Sequence, residues 1–502
     1  MTSPSDNTLQ QAWDRYHARH KRSATVADKY RYENIFAKGY IVANGVIGDY
    51  VPANWTRLEL QRGYNLAVAP DLGYSYLSEP NCATLILGHA FHKNSGTMTT
   101  VDTARVLHER FLEARSFDSF EKIILEMSGR FVAIAILGRE LRVYTDPMAS
   151  RTCFWGQTGR WKRTTYLASH SALIAHATGS TEVTENRWIM RHPDYSNPGG
   201  KTLPALIAPH DCTTEVIANC YLSIQGSKVT HVRYFPKHEL ESLSLDEATD
   251  VFMDEMRFNM EAWLGVADHS YLALTAGQDS RAILSASLDL LNHKSEDVTL
   301  MTYHFFKKGA ATTATDLLKA NQMALDAGLR FKVIDIDGVA KEVGPLYNAT
   351  FPAWARFPTL TSSFYEQLQA DSALFIGVGG EIGTVFFTGR EQSTITPEWL
   401  AKKYAYSKVS EDPELIKKFQ DYIEYTQFTD DRLHGYDLHD LFYWEHRLTK
   451  WAGASYAEYD LAAIVALPFN SRRLILAMLS LPYEQRVGRA IYAEIVKRSG
   501  IK

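Results

Sequence analysis

Two short runs in the C-terminal half carry residue types suited to phosphate and a divalent metal. The first, Leu274-Thr275-Ala276-Gly277-Gln278-Asp279-Ser280-Arg281, follows an apolar stretch and leads into a helix-compatible segment. A small-residue turn at such a junction lets backbone N–H groups and a helix N-terminus face an anion. Asp279 has the chemistry to hold Mg²⁺ against phosphates, and Ser280 to cap the helix or touch an oxygen. The second run, Phe375-Ile376-Gly377-Val378-Gly379-Gly380-Glu381-Ile382-Gly383, again comes directly after an apolar stretch. Its glycines permit close approach of a ligand to backbone, and Glu381 supplies a second carboxylate. Taken alone, the first run reads as well as a strand-to-helix turn with an Asp-Ser cap, and the second as a glycine-rich loop with a solvated Glu. Strand ends in one open parallel sheet converge, so the two runs together predict Asp279 and Glu381 facing one metal from two loops.

The pattern from about residue 240 onward supplies such a sheet. Short apolar or β-branched runs at Tyr271–Thr275, Val298–Tyr303, Phe331–Ile336 and Ala373–Ile376 alternate with helical spacing, as in Leu317, Ala320 and Ala324 closed by Gly328. Alternation of this kind predicts βαβ units and a parallel sheet, with a mostly helical remainder after residue 400. Up to about residue 175 the signal is different: short apolar runs separated by turns, such as Thr84-Leu85-Ile86-Leu87 before Gly88. Phe131 to Leu137, then Gly138-Arg139-Glu140, then Leu141-Arg142-Val143-Tyr144, reads as two strands joined by a tight turn. Both faces of the first strand are apolar, which places it between layers. Between residues 176 and 236 Gly, Pro, Asn, His and Thr accumulate around Asn197-Pro198-Gly199-Gly200, which reads as a connection.

A chain of 502 residues is too long for one ordinary core, and 45% apolar with 22% charged residues is a globular balance. A net charge of -5 provides no sign-biased field for nucleic acid or an anionic membrane. Cys82, Cys153, Cys212 and Cys220 show no CxxC pair or metal spacing, so free thiols in a reducing compartment are expected. The N-terminus lacks the basic-then-apolar pattern of a signal peptide, and no stretch approaches the roughly 18 uncharged apolar residues of a membrane span. The expectation is a cytoplasmic protein with neither nucleic acid nor membrane as partner.

Thr275 to Ser280 resembles the SGGxDS pyrophosphate loop of asparagine synthetases and their relatives, the β-lactam and carbapenam synthetases and lasso-peptide cyclases. Ile376 to Glu381 falls where these proteins have an SGxGxD-like loop. Trp444-Glu445-His446-Arg447 and Leu467-Pro468-Phe469-Asn470 are similar to the family's DR and PFLD signatures. Gly129-Arg130-Phe131-Val132-Ala133 through Tyr144-Thr145-Asp146 is similar to the G-x-F-A...RD strands of the glutamine-amidotransferase domain. The resemblance covers most of the chain, in the family's order. It implies an architecture of α/β and α+β class in which residues 1–175 form a layered, sheet-rich amidotransferase-like (Ntn-type) domain. Residues 176–236 then connect it to a parallel-sheet PP-loop ATP-pyrophosphatase domain over 237–502, with a helical C-terminal part.

The implied chemistry is ATP- and Mg²⁺-dependent activation of a small-molecule or peptide carboxylate as an acyl-adenylate, then amide or lactam formation with an amine. By the same resemblance Leu274, Thr275, Ala276, Gly277, Gln278, Asp279, Ser280, Thr302, Gly377 and Val378 contact the nucleotide, while Asp279 and Glu381 hold the metal. Arg447 and Lys450 are candidates for phosphate or intermediate contacts, with a solvated basic face as the other reading. A homodimer is left open, as are a non-catalytic nucleotide- or partner-binding relative and a macrocyclase of the lasso type.

Departures from the family pattern narrow this reading. Class II amidotransferases use a Cys immediately after the initiator Met, whereas position 2 is Thr2, so the first domain is expected to be a scaffold without glutaminase activity. Thr275 and Ala276 replace Ser and Gly, and Glu381 replaces an Asp with one methylene more. Val378 stands where asparagine synthetases have Glu and β-lactam synthetases Tyr, which predicts a less polar acyl pocket and aspartate as a poor substrate. Lys497 and Lys502, the lysines beyond Asn470, match no family motif. Glutamate release from glutamine should therefore stay at background, and Thr2→Ala should leave any synthetase activity intact; a glutaminase rate abolished by that substitution would show otherwise.

Overall fold

The computed structural model describes residues 34–159, 163–180, 192, 194, 202–306, 311–353, 356–390, 394–405 and 408–500. Thr2, Lys502 and Asn197-Pro198-Gly199-Gly200 lie outside these. In chain order the strands begin with β1 (Tyr40–Ala43), β2 (Thr56–Glu59), β3 (Asn65–Val68), β4 (Tyr74–Glu79), β5 (Cys82–His92) and β6 (Met127–Leu137). They continue with β7 (Glu140–Thr145), β8 (Phe154–Thr158), β9 (Thr164–Ala168), β10 (Thr214–Glu215), β11 (Cys220–Gln225) and β12 (Lys228–Arg233). The last are β13 (Ser270–Ala273), β14 (Val298–His304), β15 (Arg330–Asp335), β16 (Ala373–Phe375) and β17 (Ile464–Ala466). The first twelve make two six-stranded antiparallel sheets, ordered β10-β8-β9-β1-β3-β2 and β12-β11-β7-β6-β5-β4. The remaining five make one parallel sheet ordered β15-β14-β13-β16-β17.

The apolar character of both faces of β6 has a simple cause. Val132, Ile134 and Ile136 point into a layer shared with Val42, Leu66 and Leu167 of the facing sheet. Phe131, Ala133 and Ala135 join the core that contains Leu107, Phe111 and Phe120 of the helices Thr100–Ala114 and Phe117–Glu126. Alternate residues of a strand face opposite ways, so a strand between two apolar layers has no polar positions to offer. Gly138, at φ +59, makes the tight turn from β6 to β7, as the sequence leads one to expect. The outer face of the other sheet, including Ile41, Ala43 and Ala168, packs against the helix Ser171–Thr178.

The parallel sheet follows the expected alternation, and the helix Ala311–Ala327 ends before Gly328 at φ +69. The helix Leu245–Leu264 opens on a capping box in which Ser244 and Glu247 satisfy one another's backbone N–H groups. Two sequence expectations need correction. Residues 176–236 are more than a connection, because β10 pairs with β8 and β11 pairs with β7, so Thr214–Arg233 completes both antiparallel sheets. β17 is a strand that the sequence does not announce: at three residues it is too short for a periodic signal, and its pairing with β16 defines it. Among the described residues no helix is long and apolar enough to cross a membrane.

A buried polar junction joins the antiparallel sheets to the parallel one. Arg130 of β6 donates to Asp460 Oδ1 at 2.6 Å, and Arg151 donates to Asp460 Oδ2 at 3.1 Å. Lys38 Nζ adds a bond to the Asp460 carbonyl at 2.8 Å. Beside this cluster, Asp146 accepts the backbone N–H groups of Phe131, Met148, Ser150 and Arg151, together with Asn470 Nδ2 at 2.8 Å. Asn470 Nδ2 also donates to Gly129 O at 2.5 Å. Burial alone would push the Asp460 carboxyl up, but Arg130, Arg151 and Lys38 hold it below its ordinary value. A depressed acid contributes stability above its unfolded value that is lost as pH falls through the folded value, so this junction weakens in acid. Asp460→Asn leaves two buried guanidinium groups without their anion and should cost about 3–5 kcal/mol, read as a lower denaturant midpoint; a midpoint unchanged from wild type would refute the role.

Candidate functional site

β13 sits in the middle of the parallel sheet, and Leu274 extends it by donating to Met301 O of β14 at 2.7 Å. Thr302, the next residue of β14, is buried and paired with β15. The chain then turns through Thr275 to Gly277 into the helix Gln278–His293, whose N-cap Gly277 provides no side-chain cap. Of the turn's N–H groups, Thr275 donates to Ser280 Oγ at 3.2 Å and Gly277 to Thr275 Oγ1 at 3.1 Å. Ala276 N–H donates to the carboxylate of Asp316, on the helix Ala311–Ala327, at 2.7 Å. Ser280 is thus a brace of the turn. An uncapped helix start leaves N–H groups directed outward, the arrangement that favours an anion.

The second run leaves β16 next door, since β13 and β16 are paired in parallel register. Gly379, at φ +95, passes so close to Met148 that a Cβ there would collide with its methyl group. Gly380 lies directly on Asp279, and a Cβ would strike its carboxyl carbon. Gly377 is nearly as close, with its missing Cβ only 3.2 Å from Asp279 Cβ. At Gly380 the approach of one loop to the other leaves no room for a side chain, and at Gly377 a side chain would require its neighbours to shift. Glu381 follows in the 3₁₀ turn Gly380–Thr384, which is held by Arg486 donating to Ile382 O at 3.0 Å and by the Tyr492 hydroxyl donating to Gly380 O.

Asp279 and Glu381 are therefore brought together, as the convergence of strand ends predicts. Burial pushes the Asp279 carboxyl up, the nearby Glu381 carboxylate pushes it further, and Arg489 opposes them; the outcome is about 7 against an ordinary 3.8. A buried carboxyl whose proton affinity is raised by a neighbouring carboxylate is the electrostatic signature of a cation site. Among the described residues no group of three or more His, Cys, Asp or Glu is arranged to hold a metal. The pair fits Mg²⁺ all the same, which is usually held by one or two carboxylates with water and substrate phosphates completing the octahedron.

The flanking residues divide sharply. Tyr443, in the π-helical segment Tyr443–Gly453, donates its hydroxyl to Glu381 Oε2. Arg447, four residues on and half-buried, lies over the Phe386 ring at 4.8 Å, while Phe386 and Tyr443 are 4.6 Å apart. This guanidinium belongs to the neighbourhood of the carboxylates, and burial with Glu381 keeps the Tyr443 hydroxyl protonated far above its ordinary range. Lys450 does not share that place: it is 4% exposed, ion-paired to Glu215 at 2.5 Å and bonded to Ile207 O at 2.7 Å. Its charge is consumed in bracing residues 207–215, which corrects the expectation of a phosphate contact. Glu445 likewise forms a buried bidentate pair with Arg233, both bonds at 2.6 Å. Val378 is 7% exposed and belongs to the core, so it presents no open apolar wall to an acyl group.

The sequence misses Tyr443, Arg489 and Asp316. The spacing of Tyr443 four residues before Arg447 was a usable signal, since such residues share a helix face. Arg489, exposed and at φ +58, had none. The cysteines meet the expectation of free thiols, with Cys82, Cys153 and Cys220 buried and Cys212 partly so. Burial pushes the Cys153 and Cys220 thiols up to about 12, which leaves both inert as nucleophiles.

No protein-family model matches the chain, and no curated protein does. Among solved structures it is similar to the allosteric regulatory enzyme of purine biosynthesis at 12% identity and a TM-score of 0.24, covering 73% of this chain and 90% of that one. It is also similar to glutamine phosphoribosylpyrophosphate amidotransferase from B. subtilis at 9% identity and a TM-score of 0.23, covering 78% of this chain and 74% of that one. Overlays at such TM-scores carry no argument about this chain.

An acid whose folded value lies above its unfolded one stabilises the fold fully below the unfolded value and loses that contribution as pH rises through about 7. A cation at Asp279 must displace this proton. Mn²⁺ affinity without nucleotide, read by the electron-spin signal of the free ion, should rise about tenfold per pH unit up to about pH 7 and then level off. Asp279→Asn should flatten that profile, and a flat profile in the wild type would contradict the site.

Proposed function

We propose that this chain activates a carboxylate with ATP, forming an acyl-adenylate and pyrophosphate, and then joins the acyl group to an amine. The observation that supports this most is the meeting of Asp279 and Glu381 from two adjacent strand ends, with Gly377 and Gly380 packed on Asp279. An oxygen of the carboxylate substrate attacks the α-phosphorus of ATP, the bond to the bridging oxygen breaks, and pyrophosphate departs. The amine then attacks the acyl carbon, AMP leaves with the bonding electrons, and the amine's proton passes to solvent.

In this reading the uncapped start of Gln278–His293 faces the departing pyrophosphate, and Arg447 and Arg489 supply positive charge near the carboxylate pair. Mg²⁺ bound between Asp279 and Glu381 would neutralise charge on the phosphates. Tyr443 and Arg486 keep Glu381 and its turn in place. The antiparallel half serves as a scaffold, consistent with the buried, unactivated thiols of Cys153 and Cys220.

One observation favours a second reading, a nucleotide- or partner-binding protein without catalysis. The Ala276 N–H, expected to meet pyrophosphate, is already satisfied by the Asp316 carboxylate. Substrate-dependent exchange of labelled pyrophosphate into ATP separates the two. Asp279→Asn and Glu381→Gln should each lower exchange a hundredfold or more, the cost of roughly 3–4 kcal/mol for one lost transition-state contact. Exchange near wild-type levels in both variants would defeat the assignment, and none in the wild type with any tested acid would favour the non-catalytic reading.

A further inference from the structure

Glu381 is one methylene longer than the Asp of the loop it resembles, and a longer carboxylate on a 3₁₀ turn has more freedom to swing away from Asp279. The structure contains a restraint on that freedom. Tyr443 is 2% exposed, and its hydroxyl donates to Glu381 Oε2. The ring cannot follow a moving partner, because it is packed 4.6 Å from Phe386 and 6.3 Å from Phe387. The backbone that carries it is fixed as well. Asp437 caps the preceding helix Leu438–Phe442, and Asp440 of that helix is gripped by Arg390 at 2.5 Å and by Arg486 at 2.8 Å. Arg486 also holds Ile382 O, one residue beyond Glu381, so the same guanidinium ties the helix to the loop. Helix, loop and hydroxyl donor therefore form one rigid unit.

We propose that Tyr443 is the positioning residue of Glu381: its hydroxyl takes up Oε2, offsets the extra methylene and leaves Oε1 as the oxygen directed to the metal. A hydrogen bond to an ionised carboxylate in a buried setting is strong enough to fix a rotamer. The inference rests on the metal assignment made above, and it specifies something that assignment does not, namely that Tyr443 and Glu381 act as a unit. A shorter Asp at position 381 withdraws from the hydroxyl and makes it redundant.

The test is a cycle of four proteins, wild type, Tyr443→Phe, Glu381→Asp and the double variant, in which binding of Mn²⁺ without nucleotide is followed by the electron-spin signal of free Mn²⁺. Tyr443→Phe keeps the ring and should weaken binding about tenfold, while in the Glu381→Asp background the same change should matter less than about twofold. Binding by Tyr443→Phe within about twofold of wild type overturns the inference. Equal losses in both backgrounds also overturn it, since they mean that the tyrosine acts through packing or folding. Absence of Mn²⁺ binding in the wild type overturns the metal assignment itself, and this inference with it.

Discussion

Where the antiparallel sheets meet the parallel one, Asp460 is shut away from water between Arg130 and Arg151, and the placement of everything downstream follows from that enclosure. Charges taken out of water are costly to leave without a counterion, so the pairing of Asp460 with Arg130 and Arg151 ties the two halves of the chain together. β17 begins four residues after Asp460 and pairs with β16 in the register Ala373↔Ile464 and Phe375↔Ala466. β16 in turn releases the glycine loop that carries Glu381. Through β17 and β16 the ion cluster is connected to the loop that carries one of the two carboxylates, which β16 also holds against β13.

Residues that look like chemistry in the sequence often serve this docking. Asn470, at the end of the PFLD-like stretch, and Asp146, at the end of the strands that resemble an amidotransferase motif, hold each other at 2.8 Å. Trp444 donates to Pro147 O at 2.7 Å, and Glu445 and Lys450 are neutralised by Arg233 and Glu215. A buried polar side chain needs a partner wherever it sits, so polarity within a motif is as much a requirement of an interior junction as of a reaction centre.

At the site itself the decisive quantity is separation. Gly380 lets one loop lie on Asp279 at a distance that a side chain would not fit, with Gly377 tight beside it, and this approach brings the Glu381 charge close enough to help raise the Asp279 carboxyl to about 7. A protein retains such mutual repulsion at a cost in stability, and a cation between the groups removes it. Tyr443 and Arg486 keep the longer of the two acids from relieving the repulsion by moving off.

The sequence by itself determined the parallel sheet, the layered position of β6, and the presence of Asp279 and Glu381 at two strand ends, because periodicity, apolar runs and glycine spacing are local properties that survive without any contact being known. It could not assign Thr214–Arg233 to the two antiparallel sheets or reveal β17, since both are made by pairing with strands distant along the chain. It could not separate Arg447 from Lys450, three residues apart on one helix, because only packing decides that one guanidinium lies beside Phe386 while the neighbouring ammonium is drawn to Glu215. Tyr443, Asp316 and Arg489 belong to the same class. Partnership is a property of space, and the tertiary structure alone brings a hydroxyl at 443 to a carboxylate at 381 and a carboxylate at 316 to an amide at 276.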